Sequence, residues 1–316
     1  MLQNLQSLKT LCLSGDSLDA SFLSMILPSN LKTLEVKTKE LPQIYNMKDL
    51  RDLKEVNIHF IFDVRQMPFR DDFKRVQLSI DRLPSTINKL KMSGFIETTK
   101  QFSFKNLAGL KILHIGSCDF DSSSLISLRS LTVSEKQIPT IFGSSIFGYQ
   151  ESKDPFKFTR SGQNISPSPL VERLESLTIF MNYEGFTLHA FDFWRSFILP
   201  LGNLLELTIH QFRLSSNMVI EEYPPHLVFL QLDFEKEIAW GEVVLHGFDK
   251  TLRYIHLEGS GYVTLKQERN SKTLTLSQDR LDERFTEVDH TIIQDHVFRG
   301  VRNVKIVLCV GLRLYV

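Results

Sequence analysis

The sequence predicts an α/β repeat solenoid with a concave parallel β-sheet of about 13 strands and with short helices, turns and loops on the convex side. Three observations predict this fold class. A six-residue frame of apolar residues recurs along the chain, and most copies are separated by the length of one supersecondary unit. The copies are also rich in Thr, Ile and Val, which fit the pleated surface of a sheet.

The recurring frame is L-x-x-L-x-L, with Ile, Val, Met or Phe allowed in place of Leu. Its copies begin at Leu8, Leu31, Leu53, Phe73, Ile87, Leu110, Leu128, Leu174, Leu204, Leu227 and Leu252, and two weaker copies begin at Ser271 and Val301. Successive copies are 23, 22, 20, 14, 23, 18, 46, 30, 23, 25, 19 and 30 residues apart. Most of these distances lie within or near the range of about 20–29 residues for solenoids with one short strand per repeat. One such hexamer occurs in many helices, whereas a long series is typical of stacked repeats.

The frame also predicts which side chains face the core. Alternate residues of a strand point to opposite faces, so the fourth and sixth positions of each copy should point inward. The third, fifth and seventh positions should point outward across the concave face. A single copy cannot bury its apolar row alone, so neighbouring copies must stack.

The segments between copies predict the convex elements. Apolar residues at helical spacing predict short helices within 16–27, 188–198 and 292–298. The 14 residues between Phe73 and Ile87 leave no room for a helix, so a tight turn is expected there.

Proline precedes three copies, in Pro28-Ser29-Asn30-Leu31, Pro84-Ser85-Thr86-Ile87 and Pro224-Pro225-His226-Leu227. The L-x-x-L-x-L series resembles the leucine-rich-repeat superfamily. The variant P-x-x-L-x-x-L-x-L is similar to the irregular repeats of fungal and amoebal F-box-type and FNIP-repeat proteins. The resemblance covers about residues 5–310. It implies a leucine-rich-repeat solenoid that acts as a scaffold for protein–protein interaction. More narrowly, it implies a substrate receptor of an F-box/cullin-type ubiquitin ligase, or a fragment of one.

The chain departs from the regular repeat at the ninth position, where Asn or Cys usually bonds neighbouring backbone. Cys118, Asn182 and Cys309 keep the pattern. Ninth positions that depart from the pattern include Asp16, Lys39, Ile61, Phe95 and Phe212. We therefore expect an irregular curvature.

The repeat predicts one solenoid domain over residues 1–316. Residues 134–173 are rich in Ser, Pro, Gly and Phe and predict an irregular inserted surface loop. Its two Ser-Pro steps, at Ser166 and Ser168, leave a phosphorylated docking loop as the alternative. A full copy starts within eight residues of Met1, so we expect no F-box in this chain.

At the other end, residues 301–316 alternate apolar and other residues, and Gly311 permits a bend. This pattern predicts a C-terminal capping strand or hairpin. The alternatives are a truncated chain or an exposed edge that a partner covers.

Composition excludes several classes of protein. Lys plus Arg and Asp plus Glu both number 37, so the net charge is zero. This balance argues against nucleic acid and against a polybasic membrane patch as partners. The three cysteines are far apart, and no apolar stretch resembles a signal peptide or a membrane span. We therefore expect an intracellular protein, cytoplasmic or nuclear, in a reducing compartment.

No motif typical of catalysis or nucleotide binding is present. His189 and Asp192 lie on a predicted convex helix and are interpreted as a solvated edge. Asp289-His290 and Asp295-His296 flank another predicted helix without metal-ligand spacing. The sequence therefore predicts a protein that is not an enzyme and that holds no cofactor or metal.

The outward positions point to a candidate partner-binding patch. The first half of the concave face is polar, with Glu35, Lys37, Asn57, His59 and Lys91 among its residues. The later half is aromatic and histidine-rich. The candidate patch comprises Phe180, His210, Phe229, Gln231, Tyr254, His256 and Glu258. Aromatic residues beside polar ones are typical of interface hot spots. The alternative is that these side chains only cover an irregular sheet or contact the inserted loop.

Two functions remain open at this stage. The first is a non-enzymatic module that binds a protein partner on the concave face. The second is a structural subunit of a larger assembly that pairs through the strand edge near 304–316.

Overall fold

The computed structural model describes residues 7–15, 27–38, 49–60, 76–77, 80–94, 101–116, 120–138, 169–181, 193–212, 218–234, 242–246, 251–258, 262–266, 273–278, 303–307 and 312–315. The fold is α/β, with mostly parallel strands and few helices. The chain divides into two compact units. The first comprises Met1–Gly143 with Pro167–Leu170, and the second comprises Ser144–Ser166 with Val171–Val316. Each unit is described by itself.

The first unit contains eight strands: β1 (Thr10–Gly15), β2 (Thr33–Thr38), β3 (Glu55–Phe60), β4 (Lys89–Ser93), β5 (Phe102–Ser103), β6 (Ile112–Ile115), β7 (Phe120–Asp121) and β8 (Ser130–Ser134). Strands β1, β2, β3, β4, β6 and β8 pair in this order, and all their pairs are parallel. The short strands β5 and β7 form a separate parallel pair. Two short 3₁₀ turns, Lys105–Leu107 and Glu135–Gln137, complete the unit.

The second unit contains ten strands: β9 (Ser176–Phe180), β10 (Glu206–Phe212), β11 (Met218–Ile220), β12 (Phe229–Phe234), β13 (Glu242–His246), β14 (Tyr254–Glu258), β15 (Tyr262–Lys266), β16 (Thr273–Gln278), β17 (Asn303–Val307) and β18 (Leu312–Tyr315). Strands β9, β10, β12, β14 and β17 form a parallel array. A second sheet has the order β11-β13-β15-β16-β18. Its first three strands are parallel, and β16 pairs antiparallel with both β15 and β18.

The frame of the sequence corresponds to a fixed local structure. In the first unit, the third positions Thr10, Thr33, Glu55, Lys89 and Ile112 are Cα partners from strand to strand. In the copies that form β2, β3, β4, β6 and β8, the fourth and sixth positions are buried, as in Leu34 and Val36, which have no exposed surface. The first position of these copies is buried as well, and it lies at the end of the turn that leads into the strand. In β1, the corresponding Leu11 and Leu13 are half-buried.

A recurring hydrogen-bond pattern precedes the strands. The N–H of the first position donates to the carbonyl three residues earlier, which belongs to Pro28, Pro84 or Pro224 in the three proline-containing copies. A β-turn of this kind needs no N–H from its first residue, so proline is tolerated there. The carbonyl of the second position then accepts the N–H groups of the second and third positions of the next copy. Lys9 O, for example, accepts from Lys32 N at 2.8 Å and from Thr33 N at 3.0 Å.

The copy at Phe73 is the exception, and its predicted strand is wrong. Val76, Gln77 and Ile80–Arg82 are helical, so the tight turn predicted before Ile87 is also wrong. The backbone ladder passes over this copy, because Lys54 O accepts directly from Asn88 N at 2.9 Å. The physical reason is the spacing of apolar residues. Val76, Ile80 and Leu83 are buried and lie four and three residues apart, which places them on one helical face.

The second unit contains strands between the copies, where the sequence predicts only short helices, turns and loops. There, β11, β13 and β15 follow β10, β12 and β14 and form a second sheet. Alternation explains the strands. Met218 and Ile220 are buried while Val219 between them is 41% exposed, and β-branched residues favour strands. The repeat frame places the copy at Ser271 in the same parallel array as the other copies. In the structure, this copy forms β16, which belongs to the second sheet.

The predicted helix within 188–198 is confirmed over Trp194–Ile198, which forms a single π-helical turn. Trp194 Nε1 donates to Glu222 O at 2.9 Å and the indole packs edge-on against Tyr223. The tail contributes β17 to the array of β9 and β18 to the second sheet. Among the described residues, β17 pairs with β14 and β18 pairs with β16, and the two segments do not pair with each other.

Several predictions fall on residues that the structure does not describe. They concern the helices predicted at 16–26 and 292–298, most of the insertion at 139–168 with Ser166 and Ser168, and the residues Cys118, Asn182, Cys309, His189, Asp192, Asp289, His290, Asp295 and His296. Among the described residues, no helix has the length and apolar character needed to cross a bilayer.

Candidate functional site

The candidate patch lies on the outward face of β9, β10, β12 and β14. Outward residues occupy equivalent repeat positions, and the register brings them side by side. Phe180 is the partner of His210, Phe229 of Tyr254, and Gln231 of His256. Six of the seven predicted residues therefore form three neighbouring pairs. The seventh, Glu258, pairs through its backbone with Asp233.

The rings of Phe180 and His210 are in direct contact on this face. Their centroids are 4.5 Å apart and their planes differ by 17°, so the rings are stacked. Phe180 still has 39% of its surface exposed. An exposed aromatic ring held by a stacked neighbour offers contact area with little loss of conformational entropy on binding.

Asp233 on β12 completes the cluster and was missed in the sequence. His210 Nδ1 lies 2.5 Å from Asp233 Oδ2, and their side chains are 29% and 20% exposed. An ionised carboxylate only accepts hydrogen bonds, so Nδ1 carries the hydrogen and donates it. Gln231 Nε2 donates to Asp233 Oδ1 at 2.9 Å. The repeat frame could have identified it. Asp233 is the seventh residue of its copy, as His210 and Phe180 are of theirs, and the seventh position faces outward.

A backbone irregularity follows His210 directly. Gln211 has a φ of 58°, and the register between β10 and β12 shifts between Ile209 and Phe212. The carbonyl of His210 accepts the N–H of Met181 at 3.0 Å. Such a bulge re-aims side chains and ends regular pairing. No residue type at Gln211 predicts it, since non-glycine residues avoid this region of φ.

Phe229 and Tyr254 are half-buried partners in the adjacent part of the face. Their predicted adjacency holds for the backbone. Among the described residues, the ring contact of this face joins Phe180 to His210 and none joins Phe229 to Tyr254. We call Phe180, His210, Asp233 and Gln231 the Phe180 cluster, because these residues share direct contacts.

The Phe180 cluster combines apolar and hydrogen-bonding groups. It presents an apolar ring, a carboxylate with lone pairs left to accept hydrogen bonds, and an amide that can donate. Among the described residues, no group of three or more His, Cys, Asp and Glu side chains could hold a metal ion.

No protein-family model matches this chain, and no curated protein is significantly similar to it.

Proposed function

We propose that this chain is a leucine-rich-repeat solenoid that acts as a non-enzymatic protein-interaction module. Its binding surface is the outward face of the parallel strands, centred on the Phe180 cluster. The solenoid interpretation is supported by the β-turn and the shared carbonyl that recur from copy to copy. Scattered cysteines favour a reducing, intracellular location.

The observation that carries the binding proposal is the construction of the Phe180 cluster. A stacked histidine and a carboxylate on two further strands hold an aromatic ring that remains exposed. Hot spots have this character, with a rigid aromatic anchor among polar groups.

The test compares partner recovery by affinity purification and mass spectrometry from cells that express the tagged chain. Phe180→Ala should lose proteins that the unaltered chain retains. Val219→Ala is the matched control, because Val219 has similar exposure but lies in the second sheet. Equal recovery by both variants would reject the Phe180 cluster as the binding site. The double variant Phe229→Ala/Tyr254→Ala asks whether the neighbouring pair belongs to the same surface.

The narrower version is a substrate receptor of an F-box/cullin-type ubiquitin ligase, or a fragment of one, and it rests on the family resemblance alone. Cullin or adaptor subunits should then appear among the retained proteins. If these subunits are consistently absent, the ubiquitin-ligase proposal is rejected, and the proposal of a protein-interaction module still stands.

The alternative function is a structural subunit of a larger assembly. It is favoured by the position of β17, which has a described partner, β14, on one side only. Removing residues 304–316 should then abolish assembly, while circular dichroism still shows a folded chain. Unfolding of the shortened chain would instead identify the tail as a structural cap.

A further inference from the structure

The outward face of the first unit carries a pocket of about 420 Å³ that is lined mainly by polar and charged residues. It lies over three adjacent strands, β2, β3 and β4. Its outward lining residues form two rows across these strands, Lys37, His59 and Ser93 in one and Glu35, Asn57 and Lys91 in the other. The pocket is separate from the Phe180 cluster, which belongs to the second unit.

Charge in this pocket is unevenly compensated. Lys37 Nζ lies 3.4 Å from Glu35 Oε1 in an exposed pair, and such pairs are worth little and exchange readily. The neighbouring Lys89 is paired with Glu55 at 2.8 Å. Lys91 is exposed, and among the described residues no carboxylate lies within salt-bridge distance of it. The lining therefore has one ammonium group more than it has carboxylates.

The effect of Lys91 on its other neighbour supports this view. His114 on β6 is the Cα partner of Lys91. Burial and the positive charge of Lys91 hold the pKa of His114 below its ordinary value of 6.5. The charge of Lys91 thus acts on a side chain of the next strand.

Spacing decides which anion fits. Lys37 and Lys91 lie two strands apart and two positions apart along the strand, which separates their Cα atoms by about 12 Å. Two carboxylates on one extended segment match this distance, whereas one small anion would have to draw both side chains inward. An extended peptide covers about 13 Å in four residues, and residues four apart share a face.

We propose that this pocket is a second recognition site, which takes an extended acidic segment of a protein partner. One carboxylate of the segment pairs with Lys91, and a second replaces Glu35 at Lys37. His59 Nδ1 and Ser93 Oγ, which are 2.8 Å apart, offer hydrogen bonds between the two lysines. The site does not depend on the Phe180 cluster, so either proposal can fail without the other.

The test measures binding of a fluorescent peptide with Glu at two positions four residues apart, by anisotropy at low ionic strength with the full chain. The same peptide with Gln at both positions is the probe control. Lys91→Gln should weaken binding about fivefold, the upper range for an exposed ion pair. Lys54→Gln removes the same charge from an exposed position outside the pocket and should change the affinity little. Phe180→Ala should leave it unchanged.

NMR of the His114 ring gives a local readout that does not need a variant. A carboxylate at Lys91 offsets its charge, so the acidic peptide should raise the pKa of His114 and the Gln peptide should not. Equal weakening by Lys91→Gln and Lys54→Gln would overturn the proposal, since it indicates diffuse charge attraction. Equal binding of the two peptides, or an equal His114 response to inorganic phosphate alone, would overturn it as well.

Discussion

At the scale of single residues, the outward positions owe their properties to side chains on neighbouring strands. His210 has Phe180 of β9 on one side and Asp233 of β12 on the other. His114 lies beside Lys91 of β4. Both histidines occupy outward positions that the repeat frame identifies. The side chains that contact these histidines on the neighbouring strands are identified only by the pairing of the strands.

The burial of His114 predicts how stability depends on pH. Its folded-state pKa is below the value of the unfolded chain, so the unfolded chain binds more protons in the window below about 6.5. The free energy of unfolding should therefore fall as the pH decreases through this window. His114→Gln should flatten this part of the profile, measured by urea denaturation at several pH values. Lys91→Gln should flatten it partly, because it removes the second of the two causes. An unchanged profile in both variants would contradict the assignment.

At the scale of elements, the segment after Phe73 shows two patterns in competition. Its hexamer matches the repeat frame, but Val76, Ile80 and Leu83 also match one helical face. The helical turn is held by Gln77, whose Nε2 donates to Ser103 O at 2.9 Å and to Asp81 Oδ1 at 2.8 Å. Ser103 N donates in return to Gln77 Oε1 at 2.8 Å. A helix therefore replaces a strand at this point of the repeat.

Gln77→Ala tests this element. On a strand, Gln77 would be an outward residue, and the loss of its side chain would hardly change the free energy of unfolding. In the observed helix, its loss leaves the N–H and carbonyl of the half-buried Ser103 without these partners, which should cost about 1–3 kcal/mol. The midpoint of urea denaturation measures the effect. Asp81→Ala removes only the exposed bond and should cost less. If the two variants are equally stable, the bonds to Ser103 do not stabilise the fold.

The bulge in β10 makes a second prediction at this scale. Gln211 has the left-handed φ of 58°, which costs a non-glycine residue about 1 kcal/mol or more. Gln211→Gly should therefore be more stable than Gln211→Ala, since both variants lose the same side chain and only glycine relieves the strain. Thermal denaturation of the two variants provides the measurement. An alanine variant as stable as the glycine variant would show that the bulge is not strained.

At the scale of the whole molecule, each unit is stabilised mainly by contacts between successive copies. The shared carbonyl of one copy orders the next, and fully buried rows such as Leu34, Val56, Leu90 and Leu113 run across the strands of the first unit. Stability in such arrays is approximately a sum of terms between neighbours.

Leu90→Ala tests this local coupling. Removing a fully buried leucine side chain should cost about 2–5 kcal/mol. Hydrogen exchange followed by mass spectrometry should show the largest loss of protection in β3, β4 and β6, and less in the array that begins with β9. The reciprocal variant Leu207→Ala should affect β9, β10 and β12 first. Uniform loss of protection across both units in either variant would indicate a single cooperative structure instead.

By itself, the sequence determined the positions of eleven strands in the parallel arrays that begin with β1 and β9, because apolar residues at the fourth and sixth positions record burial at period two. It also determined which residues face outward, and hence the members of the candidate patch. Equivalent copies stack in register, so their neighbours across the sheet followed as well.

Tertiary structure decided the rest. The helical pattern after Phe73 competes with the repeat frame, and the bonds between Gln77 and Ser103 hold the helical turn. The pairing of β11, β13 and β15 joins segments that are distant in sequence. No residue type at Gln211 encodes the bulge. The Phe180 cluster also depends on contacts between segments that are distant in sequence. Which ring stacks on which, and which carboxylate meets His210, is set by side-chain geometry between strands, and a pattern of apolar positions does not encode it.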